Sequence, residues 1–217
     1  MLKSKKKIIL IIIAIIIILA IITGVIMFIN KNKNKENQES TKTSELCQKI
    51  INANEIAYTK TIDENNKITI IVKGDKAYKE VTTEGKTSRY IVKNGDTYYL
   101  NDDEKKYYKY QNNDEILTEI KEQFENIQTS NLKKGKEDIN GKKYKYEEIS
   151  QCQDFLFNDN LSVNNLEYAK TRLYYKNGEL SYIKTIVGEN EELMKINISY
   201  GNINDSYFDI PSDYTEV

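Results

Sequence analysis

Residues 8–29 are almost wholly aliphatic, with no charge, one polar residue (Thr23) and one glycine. At 1.5 Å per residue a helix over this run reaches about 33 Å, enough to cross a bilayer. A cleavable signal peptide has a shorter apolar core with a small-x-small site after it, and no such site is found here, so segment 8–30 reads as an uncleaved transmembrane signal anchor. Residues 31–43 then carry no apolar side chain and predict a flexible linker, about 20 Å end to end by random-coil scaling. Beyond it the pattern becomes that of a folded domain over 44–217.

Ser44 is positioned to cap a short helix whose Leu46, Cys47, Ile50 and Ile51 share one face. From Glu55 the period drops to two. Ile68, Ile70 and Val72 fall on one side of a strand, and Met194, Ile196, Ile198 and Tyr200 repeat the pattern near the end of the chain. Asn94-Gly95, Asn140-Gly141 and Asn177-Gly178 separate apolar or aromatic runs and suit type I′ turns, in which both central residues take positive φ, so they predict three hairpins and an antiparallel, locally connected sheet. One helix interrupts the strands. Asn112 or Asn113 can cap it, Asp114 and Glu115 complement its positive end, and Ile116, Leu117, Ile120, Phe124 and Ile127 make one stripe to lay on the sheet. The single proline, Pro211, falls near the C-terminus, clear of any central strand.

Charge changes the picture in two places. Seven of the 32 Lys and Arg residues precede residue 37, where Glu36 is the only acid; the remaining 25 basic and 32 acidic groups leave a net charge of −7. Such a domain repels nucleic acid, so no nucleic-acid partner is expected, and the Lys/Tyr alternation of 105–110 reads as an exposed strand. Lys3, Lys5, Lys6 and Lys7 against Lys31, Lys33 and Lys35 give a small positive-inside bias, which with the long C-terminal part places residues 1–7 in the cytoplasm and the domain outside it: a single-pass cell-membrane protein.

The chain has no histidine. That removes the usual general base, the commonest metal ligand and any conventional Ser or Cys triad, so no catalytic residue, metal or cofactor is assigned. Asp102-Asp103 lies in an expected turn and Asp114-Glu115 in a helix first turn. Strand alternation puts Glu147 and Glu148 on opposite faces, the wrong geometry for a carboxylate pair, and all these acids read as solvated surface. Asp154 with Asn158-Asp159-Asn160 lacks the spacing, glycine and terminal glutamate of a calcium loop. Cys47 and Cys152 are the only cysteines. Outside the cytoplasm they invite a disulfide closing a loop of about 100 residues, worth up to about 4.7 kcal/mol by chain entropy; two buried thiols are the alternative.

The order of elements, together with KGDKAYKE (73–80), KNGDTYYLNDDEKKYYKY (93–110), LYYKNGELSYIKTIV (173–187) and YGNINDSYFDIPSDYTEV (200–217), resembles the LolA-like superfamily of extracytoplasmic proteins. That group includes periplasmic lipoprotein carriers, mycobacterial lipid-binding lipoproteins, sensor domains of anti-sigma-factor regulators and a sporulation and germination lipoprotein group of Gram-positive bacteria. The resemblance covers most of 44–217. It implies an α+β fold: after the N-terminal transmembrane helix, a curved antiparallel β half-barrel wrapped around one or two helices, with an apolar cavity. An anchored chain cannot shuttle between membranes as a carrier does. The resemblance therefore implies a non-enzymatic binding module for an apolar or lipid ligand, or for a cell-envelope protein partner, with Ile68, Ile70, Val72, Met194, Ile196 and Ile198 as lining residues. In the alternative these six are ordinary core and the protein is a structural interaction subunit without a small-molecule ligand.

Overall fold

Among the described residues twelve strands form a single sheet, and its order comes from hairpins plus one long return. The computed structural model describes residues 40–111, 113–125, 127, 132–150 and 169–217, which from Thr41 onward belong to one compact unit. The chain runs α1 (Lys42–Ile51), β1 (Glu55–Thr61), β2 (Lys67–Lys73), β3 (Lys76–Thr83), β4 (Lys86–Lys93), β5 (Asp96–Asn101), β6 (Lys106–Tyr110), α2 (Ile116–Glu125), β7 (Lys133–Ile139), β8 (Lys142–Ser150), β9 (Ala169–Lys176), β10 (Glu179–Val187), β11 (Asn190–Tyr200), a 3-10 turn (Asp205–Phe208) and β12 (Thr215–Glu216). Across the sheet the order is β12-β6-β5-β4-β3-β2-β1-β11-β10-β9-β8-β7.

The three Asn-Gly pairs form the expected turns: Asn94 and Gly95 (φ 55° and 78°), Asn140 and Gly141 (54° and 75°), and Asn177 and Gly178 (54° and 87°) all take the left-handed region and join β4 to β5, β7 to β8 and β9 to β10. These meanders make two arms. They meet where β11 pairs with β1, Tyr58 lying opposite Ile198 on one side and Ile70 on the other.

The half-barrel expectation is corrected. The sheet is open, with β12 and β7 at its two edges, and β12 pairs with β6 in parallel, so the sheet is not purely antiparallel. Twelve strands at the usual spacing span about 53 Å, whereas each ten-residue helix is about 15 Å long, so the two short helices among the described residues cover only part of one face. The segment read as a transmembrane anchor lies outside the described residues; among those described, no helix is long and apolar enough to cross a membrane. Cys47 is buried beside the sheet, while Cys152 and the 154–160 acids also lie outside the described residues.

Both helices dock as their stripes require. Ile50 of α1 and Ile120, Phe124 and the subsequent Ile127 pack onto Ile56, Tyr58, Ile70, Val72, Leu173, Ile183, Met194 and Ile196. The α1 cap is Thr41, three residues before the expected Ser44; its hydroxyl accepts the Ser44 N–H at 3.0 Å. A second anchor comes from β8, where Glu147 accepts the backbone N–H groups of Lys42 (3.2 Å) and Thr43 (2.8 Å), a carboxylate against the positive end of a helix. The opposite face of the sheet has its own clusters. The C-terminal tail lays Phe208 and Tyr214 on Ile71, Tyr78, Ile91 and Leu100, and Ile139, Tyr144 and Tyr174 cluster on the far arm.

Candidate functional site

The six apolar residues expected to line a cavity lie together, as their strand positions allow, and beneath the helices. Ile70 and Ile198 flank Tyr58, Ile68 and Ile196 flank Lys60, Val72 lies opposite Ile56, and Met194 opposite Ile183. Ile70 and Met194 are 0 % exposed, Ile196 4 % and Val72 5 %, all inside the cluster that α1 and α2 close; Ile68 and Ile198 are half-buried at its margin. The wall is therefore packed. Within it stand two polar side chains the apolar pattern did not single out. Lys60 is buried in phase with Ile56 and Tyr58, a position that period-two alternation does place on this face. The hydroxyl of Tyr58 has no hydrogen-bond partner among the described residues; its ring meets Phe124 edge-on, centroids 6.0 Å apart, and burial pushes its phenol pKa far up.

Beyond the helices the same face of the sheet is uncovered. A groove of about 790 Å³ runs over β3–β6 beside the start of α2, within the usual volume range of ligand sites. Its floor comes from register: Lys79 pairs with Tyr90 and Tyr90 with Tyr99, and the row continues past the lining residues with Tyr108 opposite Tyr99. The three tyrosines form a ladder across adjacent strands, with centroids 5.3 and 6.1 Å apart. Val81, Ser88, Thr97 and Tyr110 extend the floor, Glu84 and Lys86 stand at the β3–β4 turn, and Asn113, Glu115 and Ile116 form the α2 wall. Two bonds hold that wall to the sheet: the Lys79 ammonium meets Glu119 at 2.6 Å, and the Thr97 hydroxyl donates to the Asn113 carbonyl. Burial, and then the neighbouring phenols of Tyr99 and Tyr110, raise the Tyr90 pKa.

A smaller hollow of about 300 Å³ adjoins α1, between Leu46, Lys49, Leu180, Ile198 and Tyr200. Ile198 is thus the one of the six expected lining residues that borders a described hollow. The Lys49 ammonium sits 4.0 Å over the Tyr200 ring, and burial pushes the Tyr200 phenol up to about 12.

Three carboxylates read as solvated surface are built into the fold, whereas Asp103 is exposed. Glu147 and Glu148 do face opposite sides, yet both are buried: Glu147 holds α1, and Glu148 receives the Arg172 Nε at 2.7 Å. Asp102 accepts Arg89 Nε at 2.9 Å and also pairs with Tyr214, fastening the C-terminal tail. Sequence carried half of this, since Glu147 is in phase with Ile149 and Glu148 with Tyr144 and Tyr146; the partners, brought in from distant strands, were not legible. Among the described residues no group of three or more His, Cys, Asp or Glu side chains could hold a metal ion.

On the same outer face Glu137 is a hub: Arg172 Nη1 (2.9 Å), the Tyr174 hydroxyl (2.7 Å) and Lys184 Nζ (2.5 Å) all donate to it. Burial alone would raise its pKa, but the bonds from Lys184, Tyr174 and Arg172 and the charge of Lys184 outweigh that and hold the carboxyl below the usual carboxylate range. A carboxyl depressed in the folded state stabilises above its unfolded pKa and loses that contribution as pH falls through its folded value. Stability is therefore expected to drop as pH falls below about 4, and Glu137→Gln to flatten that drop while lowering stability at neutral pH. Urea melts at stepped pH check this; equal acid slopes in both proteins would refute it.

No protein-family model and no curated protein sequence matches the chain. Among solved structures it is similar to an uncharacterized conserved protein from Thermus thermophilus, over 82 % of this chain and 99 % of that one, at 6 % sequence identity and a TM-score of 0.44, a likeness too slight to carry an argument about function.

Proposed function

We propose that this protein is a non-enzymatic binding module of the bacterial cell envelope. The apolar run at 8–29 tethers it to the cell membrane, the unit from Thr41 to Val217 stands outside the cytoplasm, and the groove over β3–β6 receives a ligand or an envelope protein partner. The observation that carries the reading is this groove, an open tyrosine-floored volume on a face whose other half is closed by helices. A concave site in this volume range, with aromatic side chains and a few polar groups on its walls, is where a ligand is expected. The resemblance to the LolA-like extracytoplasmic proteins supports a binding role in that compartment. A second reading, a structural interaction subunit with a filled core, draws support from the burial of Ile70, Val72, Met194 and Ile196.

The test is mass spectrometry of the lipids, glycans and proteins that co-purify with the full chain and with a Tyr99→Ala variant. Tyr99 is half-buried, so its truncation is expected to leave the fold intact in thermal melts. A species recovered with the parent and lost from the variant is the expected result; identical recoveries would remove the groove as a binding site. For the placement, protease added to intact protoplasts is expected to digest the unit, and full protection until lysis would reverse the orientation.

A further inference from the structure

We propose that the occupant of the groove is a neutral glycan, a chain of β-1,4-linked pyranose rings lying across the Tyr90–Tyr99–Tyr108 ladder. This rests on the groove being a binding site and names what it binds.

Three features point to that chemistry. The first is charge. Among the described residues the groove carries Lys79 and Lys86 against Glu84 and Glu115, and Lys79 is further engaged by Glu119 at 2.6 Å. Two cations balanced by two anions offer no net field to a polyanion or to a phosphate headgroup, so a neutral ligand fits. The second is the polarity of the walls. Ser88, Thr83 and the Asn113 segment put hydroxyl and amide groups beside the aromatic floor. An acyl chain laid there would strip water from these groups and return no hydrogen bond, whereas a ligand with its own hydroxyls replaces the lost water. The third is the floor itself: Tyr90 and Tyr99 line it from adjacent strands with centroids 5.3 Å apart, and Tyr108 extends the row from Tyr99 at 6.1 Å. Tilted rings repeating from strand to strand, with phenol groups between apolar edges, suit a ligand that is itself repeating and that alternates apolar C–H patches with hydroxyls, which an equatorially linked pyranose chain does. Tyr110, 50 % exposed, stands one row along β6, opposite Thr97, and adds an exposed ring to the same groove.

The experiment is isothermal titration of the full chain in detergent with cellotetraose and with chitotetraose, two neutral β-1,4 glycans differing in the N-acetyl group. At least one is expected to bind saturably and without salt dependence, since no charge is neutralised. Tyr99→Ala and Tyr90→Ala are each expected to weaken binding about tenfold, the size of one aromatic contact, and Tyr99→Phe, which keeps the ring, to retain it. No saturable binding of either tetrasaccharide, or binding that survives both alanine variants, overturns the glycan assignment. If neither sugar binds while a co-purifying lipid or protein is still lost from Tyr99→Ala, the groove remains a binding site for another class; if co-purification is also indifferent to Tyr99, both readings fall.

Discussion

Replacing Ile70 or Ile196 by alanine is expected to destabilise the protein by about 2–5 kcal/mol each, the range for deleting a large aliphatic side chain from a packed interior. Both side chains are buried on the helix-covered face, Ile70 beside Tyr58 and Ile196 beside Lys60, and the cluster that surrounds them includes Ile50, Ile120 and Phe124. Alanine removes apolar contact and leaves a void that this framework of strands and helices cannot close. Ile198→Ala is the internal control. It sits on the next row of the same face, is only half-buried and borders the hollow at α1, so it is expected to cost clearly less. Urea unfolding of the three variants, compared at unchanged m-value, measures the differences. If Ile70→Ala and Ile196→Ala cost no more than Ile198→Ala, the helices do not pack on this wall, and the wall returns as a ligand surface.

Truncating Phe124 to alanine is expected to cost about 3–5 kcal/mol. This ring is 1 % exposed, as is Ile120 of the same helix, and it meets Tyr58 edge-on, a geometry worth about 0.5–1.5 kcal/mol beyond burial alone. Its loss also bears on the groove, because Ile116 and Glu115 stand at the other end of the same helix segment and form the groove wall. The variant is therefore expected to lose ligand retention along with stability, while Phe124→Leu, which refills most of the volume, keeps more of both. Hydrogen exchange across α2 reads this directly: faster exchange in Phe124→Ala confined to α2 and the β3–β6 arm is the expected pattern, and an α2 that exchanges as in the parent would sever the helix from the groove.

Much of the far architecture turns on contacts that no local pattern records. The pairing of β1 with β11 joins residues about 140 positions apart, and the parallel β12 strand is held by the tail's own bonds, the Thr215 N–H to the Lys105 carbonyl and the Val217 N–H to the Tyr107 carbonyl. Alternation puts Lys60 in phase with Ile56 and Glu147 in phase with Ile149, but whether a charged side chain in phase with isoleucines is buried depends on what packs over it. Here α1 and its N-terminal amides cover Glu147. The groove was missed for a related reason. Tyr90 and Tyr99 share a face with the buried Ala77 and Val92, so by pattern alone they belong to the core; they line a groove because α2 packs chiefly on β2 and β3.

Sequence by itself determined the pieces whose energetics are local. These are the Asn-Gly turns, where two positive-φ residues close a two-residue loop, the period-two strands on either side of them, and the α2 stripe that must be buried. Tertiary structure alone decided three things: that the sheet stays open, which side chains the helices cover, and where that cover ends. Each depends on the length of one element against the width of another and on partners far along the chain, and periodicity within a window of a dozen residues carries no information about either.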